Sequence, residues 1–295
     1  MDGFLNLNKP QNFTSHDCVA KLRKILKTKK IGHGGTLDPL ATGVLPIAIG
    51  KATRLLQFLP TQKAYQATIR FGIVTTTDDL EGDIISKKSA TDLTLEKIIP
   101  YLQEFIGEIE QYPPAYSAIK KDGKKLYELA RKGEIIDIPK RLVNITNIEV
   151  LSWQSGEFPE LVLNIDCGSG TYIRSIARDL GEKLGKGATL ASLNRTLSCG
   201  MRLENSYNFE DIIQGKETDN FSLINLDYPL QNLPSIYLGE DDTKRWNQGQ
   251  KIVTEDEYSG EFYRTYNNLS EFMGISELKI DDTIKLFKPK VVLSS

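Results

Sequence analysis

Residues 31–54 read Ile31-Gly-His-Gly-Gly-Thr-Leu-Asp38-Pro-Leu-Ala-Thr-Gly-Val-Leu-Pro-Ile-Ala-Ile-Gly-Lys-Ala-Thr-Arg54, and one carboxylate, Asp38, stands alone among small and apolar residues. Gly32, Gly34, Gly35 and Gly43 open backbone conformations closed to other residues, while Pro39 fixes its own φ and pushes Asp38 toward an extended conformation. The stretch reads as a loop shaped around one side chain. A carboxylate that is ionised at neutral pH can act as a nucleophile without a separate base. An Asp-Pro pair in a Gly-rich loop also serves as a turn that caps its own backbone, and this segment alone leaves both readings open.

At 295 residues the chain exceeds the usual length of one domain, so a large domain and a small one are expected. No apolar run reaches the ~18–20 residues of a membrane span, and Met1-Asp-Gly-Phe-Leu-Asn6 lacks the basic and apolar regions of a signal peptide. A cytoplasmic location is expected, with no membrane partner. Cys18, Cys167 and Cys199 are widely spaced and form no CxxC, so neither a disulfide framework nor a zinc site is indicated. The net charge of −2 hides a segregation. Residues 1–60 hold nine basic and three acidic side chains, residues 118–145 eight and four, and residues 207–295 nine and 16. A polyanion would meet the two basic segments while the acidic C-terminal part faces elsewhere. Lys21 to Lys30 also fit the solvated side of one amphipathic helix.

Thr14 or Ser15 can cap that helix, whose apolar positions are Val19, Leu22 and Leu26. Tyr65, Ala67, Ile69 and Phe71 alternate with polar residues as a half-buried strand, and Leu161 to Cys167 alternate likewise. Thr75 to Asp83 is an acidic loop whose spacing fails the EF-hand template and reads as a turn. Leu95, Ile98, Ile99, Leu102 and Phe105 predict a helix that Pro100 kinks or splits. Leu126, Leu129 and Ala130 predict a short helix, stopped by Gly133, within a basic insertion at about 118–141. After the Gly168-Ser-Gly170 turn a helix with the stripe Ile173, Ile176, Ala177, Leu180 and Leu184 sets Arg174 at a strand-to-helix corner. Leu226 to Pro234 reads as a linker. Short β-like segments follow, which divides the chain at residues 1–231 and 232–295.

Five strings in order carry a resemblance: Asn8-Lys-Pro-Gln-Asn-Phe-Thr-Ser15, the Asp38 stretch, Lys63-Ala-Tyr-Gln-Ala67, Gln111-Tyr-Pro-Pro-Ala-Tyr-Ser-Ala118 and Gly168-Ser-Gly-Thr-Tyr-Ile-Arg174. Together the chain resembles the TruB family of tRNA pseudouridine synthases. The resemblance implies an α/β (α+β) pseudouridine-synthase fold with a mixed, largely antiparallel sheet and a small C-terminal β-rich, PUA-like RNA-binding domain. It implies isomerisation of the T-loop uridine of tRNA (uridine-55) to pseudouridine after base flipping, by a monomer that needs no cofactor, metal or obligate protein partner. Asp38 becomes the nucleophile. Tyr65 stacks on the flipped uracil and lies near C5 as a proton acceptor. Arg174 orients Asp38, a task suited to a fork that binds a carboxylate bidentately. His33 is a wedge where the base leaves, Tyr172 lines the pocket, and Lys9, Gly34, Thr36 and Leu37 complete the substrate-binding set.

Without the resemblance, Tyr65 reads as a core aromatic, Arg174 as a surface helix residue and His33 as a structural histidine. Other chemistries fail on their parts. A Ser or Cys hydrolase must draw its base from His16 or His33, and no Gly-x-Ser-x-Gly elbow exists. The span from Gly43 to Gly50-Lys51 has six residues between its glycines where a P-loop needs four, and Ala52 replaces the Ser/Thr. Two alternatives stay in play: a non-catalytic RNA-binding or tRNA-folding chaperone, and a guide-RNA-dependent relative.

Overall fold

The computed structural model describes all residues except 117–119, 122–123, 126–137, 282–283 and 294–295. The helix expected around Leu126 to Ala130 therefore lies outside the described residues. The strands are β1 (Gly3–Lys9), β2 (Ile31–His33), β3 (Thr42–Ile49), β4 (Lys63–Phe71), β5 (Ile73–Thr75), β6 (Ile84–Lys87), β7 (Gly107–Gln111), β8 (Lys120–Lys121), β9 (Lys124–Lys125), β10 (Arg141–Gln154), β11 (Glu160–Cys167), β12 (Ala188–Ser198), β13 (Met201–Arg202), β14 (Ser235–Tyr237), β15 (Ile252–Thr254), β16 (Phe262–Tyr266), β17 (Phe272–Asp281) and β18 (Ile284–Val292). A nine-stranded sheet has the order β1-β3-β12-β4-β11-β10-β7, with β2 added on β3 and β13 on β12. Its one parallel pairing joins β12 to β3; the others are antiparallel. The fold is thus mixed and largely antiparallel, as expected.

β3 explains how the layers stack. Its apolar run is buried on both faces, the pattern of a strand covered from two sides. Leu45, Ile47 and Ile49, with Leu5 and Leu7 of β1, pack against the Ser15–Ile25 and Phe209–Glu217 helices. Val44 and Ala48, with Phe4, pack against Ile275, Val291 and Leu293 of the second sheet and its end. That sheet has the order β14-β16-β17-β18-β15. The segment expected as a linker is tied in, since Pro229 and Leu230 are buried and Leu230 belongs to the shared core. A third cluster fills the space between β4, β11 and the Ile173–Lys183 and Leu95–Gln103 helices.

Local chemistry sets the helix ends. Thr14 caps Ser15–Ile25 in a capping box with Asp17, worth about 1 kcal/mol, and Val19, Leu22 and Leu26 are buried as read. Leu95–Gln103 runs unbroken through Pro100, where a kink or split was expected. Its nine residues leave few ladder bonds for the proline to remove. Phe105 is buried beyond its end, and Ile99 is exposed. Among the described residues no helix is long and apolar enough to cross a membrane.

Candidate active site

The Asp38 loop is fixed by its backbone. Ser15 Oγ accepts from Leu37 N–H at 2.9 Å, while the Leu37 side chain is buried in the β4 core. Asp38 C=O accepts from Ala41 N–H at 3.1 Å, closing a turn over Pro39 and Leu40. Gly34 N–H donates to Pro46 C=O at 2.8 Å, and Cys199 Sγ donates to Gly34 C=O. Gly43 holds φ +98° where β3 meets β12, and a Cβ there would lie 2.3 Å from the Arg195 carbonyl oxygen.

The Asp38 side chain is 40% exposed, and its Oδ2 lies 2.9 Å from Arg174 Nη2. Oδ1 has no hydrogen-bond partner among the described residues. Arg174, in the first turn of Ile173–Lys183, is buried. A cation at the positive end of a helix dipole is disfavoured there, and two carboxylates offset it. Nη1 lies 3.4 Å from Asp79 Oδ2 and donates to Thr77 C=O at 2.9 Å, while Nη2 also donates to Tyr116 C=O at 3.0 Å. The bidentate fork expected on Asp38 is therefore replaced by a bridge, one nitrogen to each carboxylate. The two sequence strings that carry it meet through Gln111, whose amide binds both the N–H and the C=O of Tyr172. Tyr112 C=O accepts from Ser175 and Arg178.

Asp79, buried at 2% exposure, was not singled out by sequence reasoning. It is held by Thr77 Oγ1 and Glu81 N–H. Its neighbour Asp78 pairs with Arg178 at 2.9 Å, and burial pushes its carboxyl above the ordinary range in spite of that partner. Glu81 is pushed up by burial first and by Asp79 next. The signal was the Asp78-Asp79 pair, which reads in the sequence as part of an acidic turn, with RNA or substrate contact implied only by a similar stretch in the family.

Tyr65 is buried on β4, within electrostatic reach of Asp38, and burial pushes its phenol up. Directly across the ladder is Arg195 on β12, fully buried and also missed. Arg195 donates from Nε to Val44 C=O at 2.7 Å, from Nη1 to Thr36 C=O at 3.3 Å and from Nη2 to Gly35 C=O at 3.1 Å, so one guanidinium closes the neck of the Asp38 loop. Lys9, expected on the substrate, lies instead beneath this loop with no exposed surface. Its ammonium donates to the carbonyls of Pro10, Phe13 and Pro39, and burial lowers its pKa to about 8.

His33 ends β2 at the entrance to the loop, its ring edge-to-face with His16 at 5.4 Å. Burial lowers its pKa first and His16 next, which keeps the imidazole uncharged at neutral pH. Tyr172 is half-buried as the residue before the helix; Thr36 is exposed and Gly34 half-buried. The structure thus brings Arg174 onto Asp38, sets Tyr65 within electrostatic reach of that carboxylate and Tyr172 two residues before Arg174, leaves His33 and Gly34 half-buried and Thr36 exposed in the same loop, and buries Lys9 and the Leu37 side chain.

A half-exposed carboxylate, a buried arginine bridging it to a second, buried carboxylate, and a buried tyrosine on the adjoining strand thus meet on a largely antiparallel sheet. The sequence profile described as TruB family pseudouridylate synthase (N terminal domain) matches residues 23–173, and that of pseudouridine synthase II TruB, C-terminal, matches residues 234–293. The chain belongs to this family and is a pseudouridine synthase, an isomerase. It is 54% identical to the tRNA pseudouridine synthase B of Gloeothece citriformis over 301 residues, covering 100% of this chain and 98% of the relative. It is 53% identical to that of Trichormus variabilis over 281 residues, covering 95% of each. Among solved structures, a protein in an H/ACA RNP bound to a substrate RNA containing 2'-deoxyuridine superimposes with a TM-score of 0.74 at 25% identity, over 99% of this chain and 85% of that one.

Proposed function

We propose that this enzyme isomerises the T-loop uridine of tRNA, uridine-55, to pseudouridine, acting in the cytoplasm as a monomer without a guide RNA or obligate protein partner. The observation that carries the chemistry is the Asp38–Arg174–Asp79 bridge, which leaves Oδ1 of a half-exposed carboxylate open to a substrate. In the reaction the C1′–N1 bond breaks and the C1′–C5 bond forms, C5 loses a proton and N1 gains one, with no net redox change and no external group. Asp38 works on the C1′–C6 side of the nucleoside, and Arg174 fixes its direction. Tyr65 stacks under the uracil. Because its phenol carries its proton at neutral pH, stacking outweighs proton acceptance in its role. His33, a neutral ring at the rim, occupies the space a flipped base leaves. The full set of charged contacts around Asp38 favours an enzyme over a binding-only chaperone, because binding RNA needs no buried bridge of this kind.

A hairpin whose bases splay out suits such a site. Arg23, Lys24, Lys27, Lys29 and Lys30 are exposed beside the loop and supply phosphate contacts, so binding weakens steeply with salt. Residues 232–295 are taken as a PUA-like unit packed against the main sheet, whose acidity assigns it a minor share of the phosphate grip. The test is tritium release from a T-arm hairpin carrying 5-tritiated uridine. Release from the T-loop position, lost when that nucleotide is replaced by cytidine, supports the reading. Release from another uridine retains the activity and overturns the T-loop assignment.

A further inference from the structure

Two cations lie side by side under the entrance to the Asp38 loop, and neither forms a salt bridge with a carboxylate among the described residues. Arg195 is satisfied by three carbonyls. Lys63, the first residue of β4, is half-buried and has no hydrogen bond or ion pair among the described residues. Its Nζ sits below Gly35, where an added Cβ would lie 3.9 Å from it and 3.7 Å from Arg195 Nη1. Gly35 adopts φ +129°, so no side chain fills the space above the two cations. The buried thiols of Cys167 and Cys199 lie within electrostatic reach of Lys63, and burial pushes both up, so neither is an anion at neutral pH. An ammonium withdrawn from water without a counterion is costly. No carboxylate among the described residues supplies the missing charge.

We infer that Lys63, backed by Arg195, anchors a backbone phosphate next to the uridine held at Asp38. The inference rests on the proposed action on RNA. Strand geometry supplies the distance. Lys63 and Tyr65 are two residues apart on β4 and project from the same face, about 6.7 Å apart along the strand. That is comparable to the distance from a nucleobase to its own phosphate, so a base stacked on Tyr65 carries its phosphate toward Lys63. Burial and Arg195 push the free ammonium down, and a phosphate would reverse that shift.

The test uses T-arm hairpins in which one phosphate, 5′ or 3′ of the target uridine, is replaced by an uncharged methylphosphonate. On the unmodified hairpin, Lys63→Met should weaken binding roughly tenfold and lower the log–log salt slope by about 0.7, while Lys63→Arg recovers most of the loss. On one of the two methylphosphonate hairpins, wild type and Lys63→Met should bind alike. An equal loss for Lys63→Met on all three RNAs, or no loss on any, overturns the assignment. Should Lys63→Met fail to fold, Lys63→Gln replaces it, and the wild-type protein must still lose about tenfold on one methylphosphonate hairpin. Wild-type turnover of the unmodified hairpin is followed in the same samples. Its absence counts against the proposed reaction, whereas the binding comparison judges Lys63 separately.

Discussion

The Asp38 loop and the C-terminal sheet handle charge in opposite ways. Around the loop Lys9, Asp79, Arg174 and Arg195 are buried, the three cations donating to backbone carbonyls and Asp79 accepting from the Thr77 hydroxyl and the Glu81 N–H. In the C-terminal sheet most charges stay outside, as in the Lys244–Glu240 and Arg245–Asp242 pairs of the Glu240–Asn247 helix, and the one charged side chain buried there among the described residues, Glu277, is met by the exposed ammonium groups of Lys279 and Lys290. Its interior instead pairs neutral groups: Trp246 Nε1 donates to Ser276 Oγ, which meets Thr265 Oγ1 at 2.7 Å. Exposed ion pairs contribute little to stability, whereas a buried ion is tolerated only when its geometry is complete. The contrast separates a region built to hold charges in place from one built to hold a shape.

The largest effect should follow from Asp38→Asn, which keeps the shape and removes the charge. Turnover is lost while tRNA affinity stays within a few-fold, because phosphate contacts dominate binding. Pseudouridine found in digests from that variant would end the assignment of Asp38. Arg174→Lys comes next. It retains the charge but cannot reach Asp38, Asp79 and two carbonyls together, so kcat should fall about a hundredfold with little change in tRNA binding; wild-type kinetics would mean the bridge is dispensable. Lys9→Met sharpens the contrast through pH. The ammonium titrates near pH 8 in the folded protein against 10.5 for an ordinary lysine, so between these values the unfolded chain holds more protons and the wild type gains stability as pH rises. The gain is at most about 3 kcal/mol. Urea unfolding across that window should show a rising slope in the wild type that Lys9→Met lacks; parallel slopes would remove the buried-cation account. Smallest of all, Lys244→Met in the C-terminal helix should leave the melting temperature unchanged, and a clear drop there would erase the distinction between the two regions.

What could be read in advance follows the same division. Val19, Leu22, Leu26, and the alternation from Tyr65 to Phe71, carry their burial in their spacing, so helix and strand were legible. Asp38 and Arg174 were legible because short strings hold them. Asp79 and Arg195 were not, since a carboxylate in a polar turn and an arginine in a strand both read as solvent-facing until the chain closes around them. Lys9 was misplaced for a similar reason. Its three carbonyl partners come from Pro10, Phe13 and Pro39, and no local pattern announces that they converge. The helix continues through Pro100, so of the kink or split expected there the split is absent, with Ile98 and Leu102 packed into the core.

β12 breaks register with β4 at two places, between Leu190 and Ser192 and between Arg195 and Leu197. Each irregularity inserts a residue, Ala191 or Thr196, with no partner opposite it. The first lets Leu190 and Leu193, an odd number apart, enter the same core. The second sets Arg195 opposite Tyr65 while Ser198 remains opposite Lys63. The count of residues in this strand is therefore as constrained as their identity. Deleting Ala191 or Thr196 would leave a strand of good composition whose side chains emerge on the wrong side, and sequence drift here can proceed by substitution but not by changes in length.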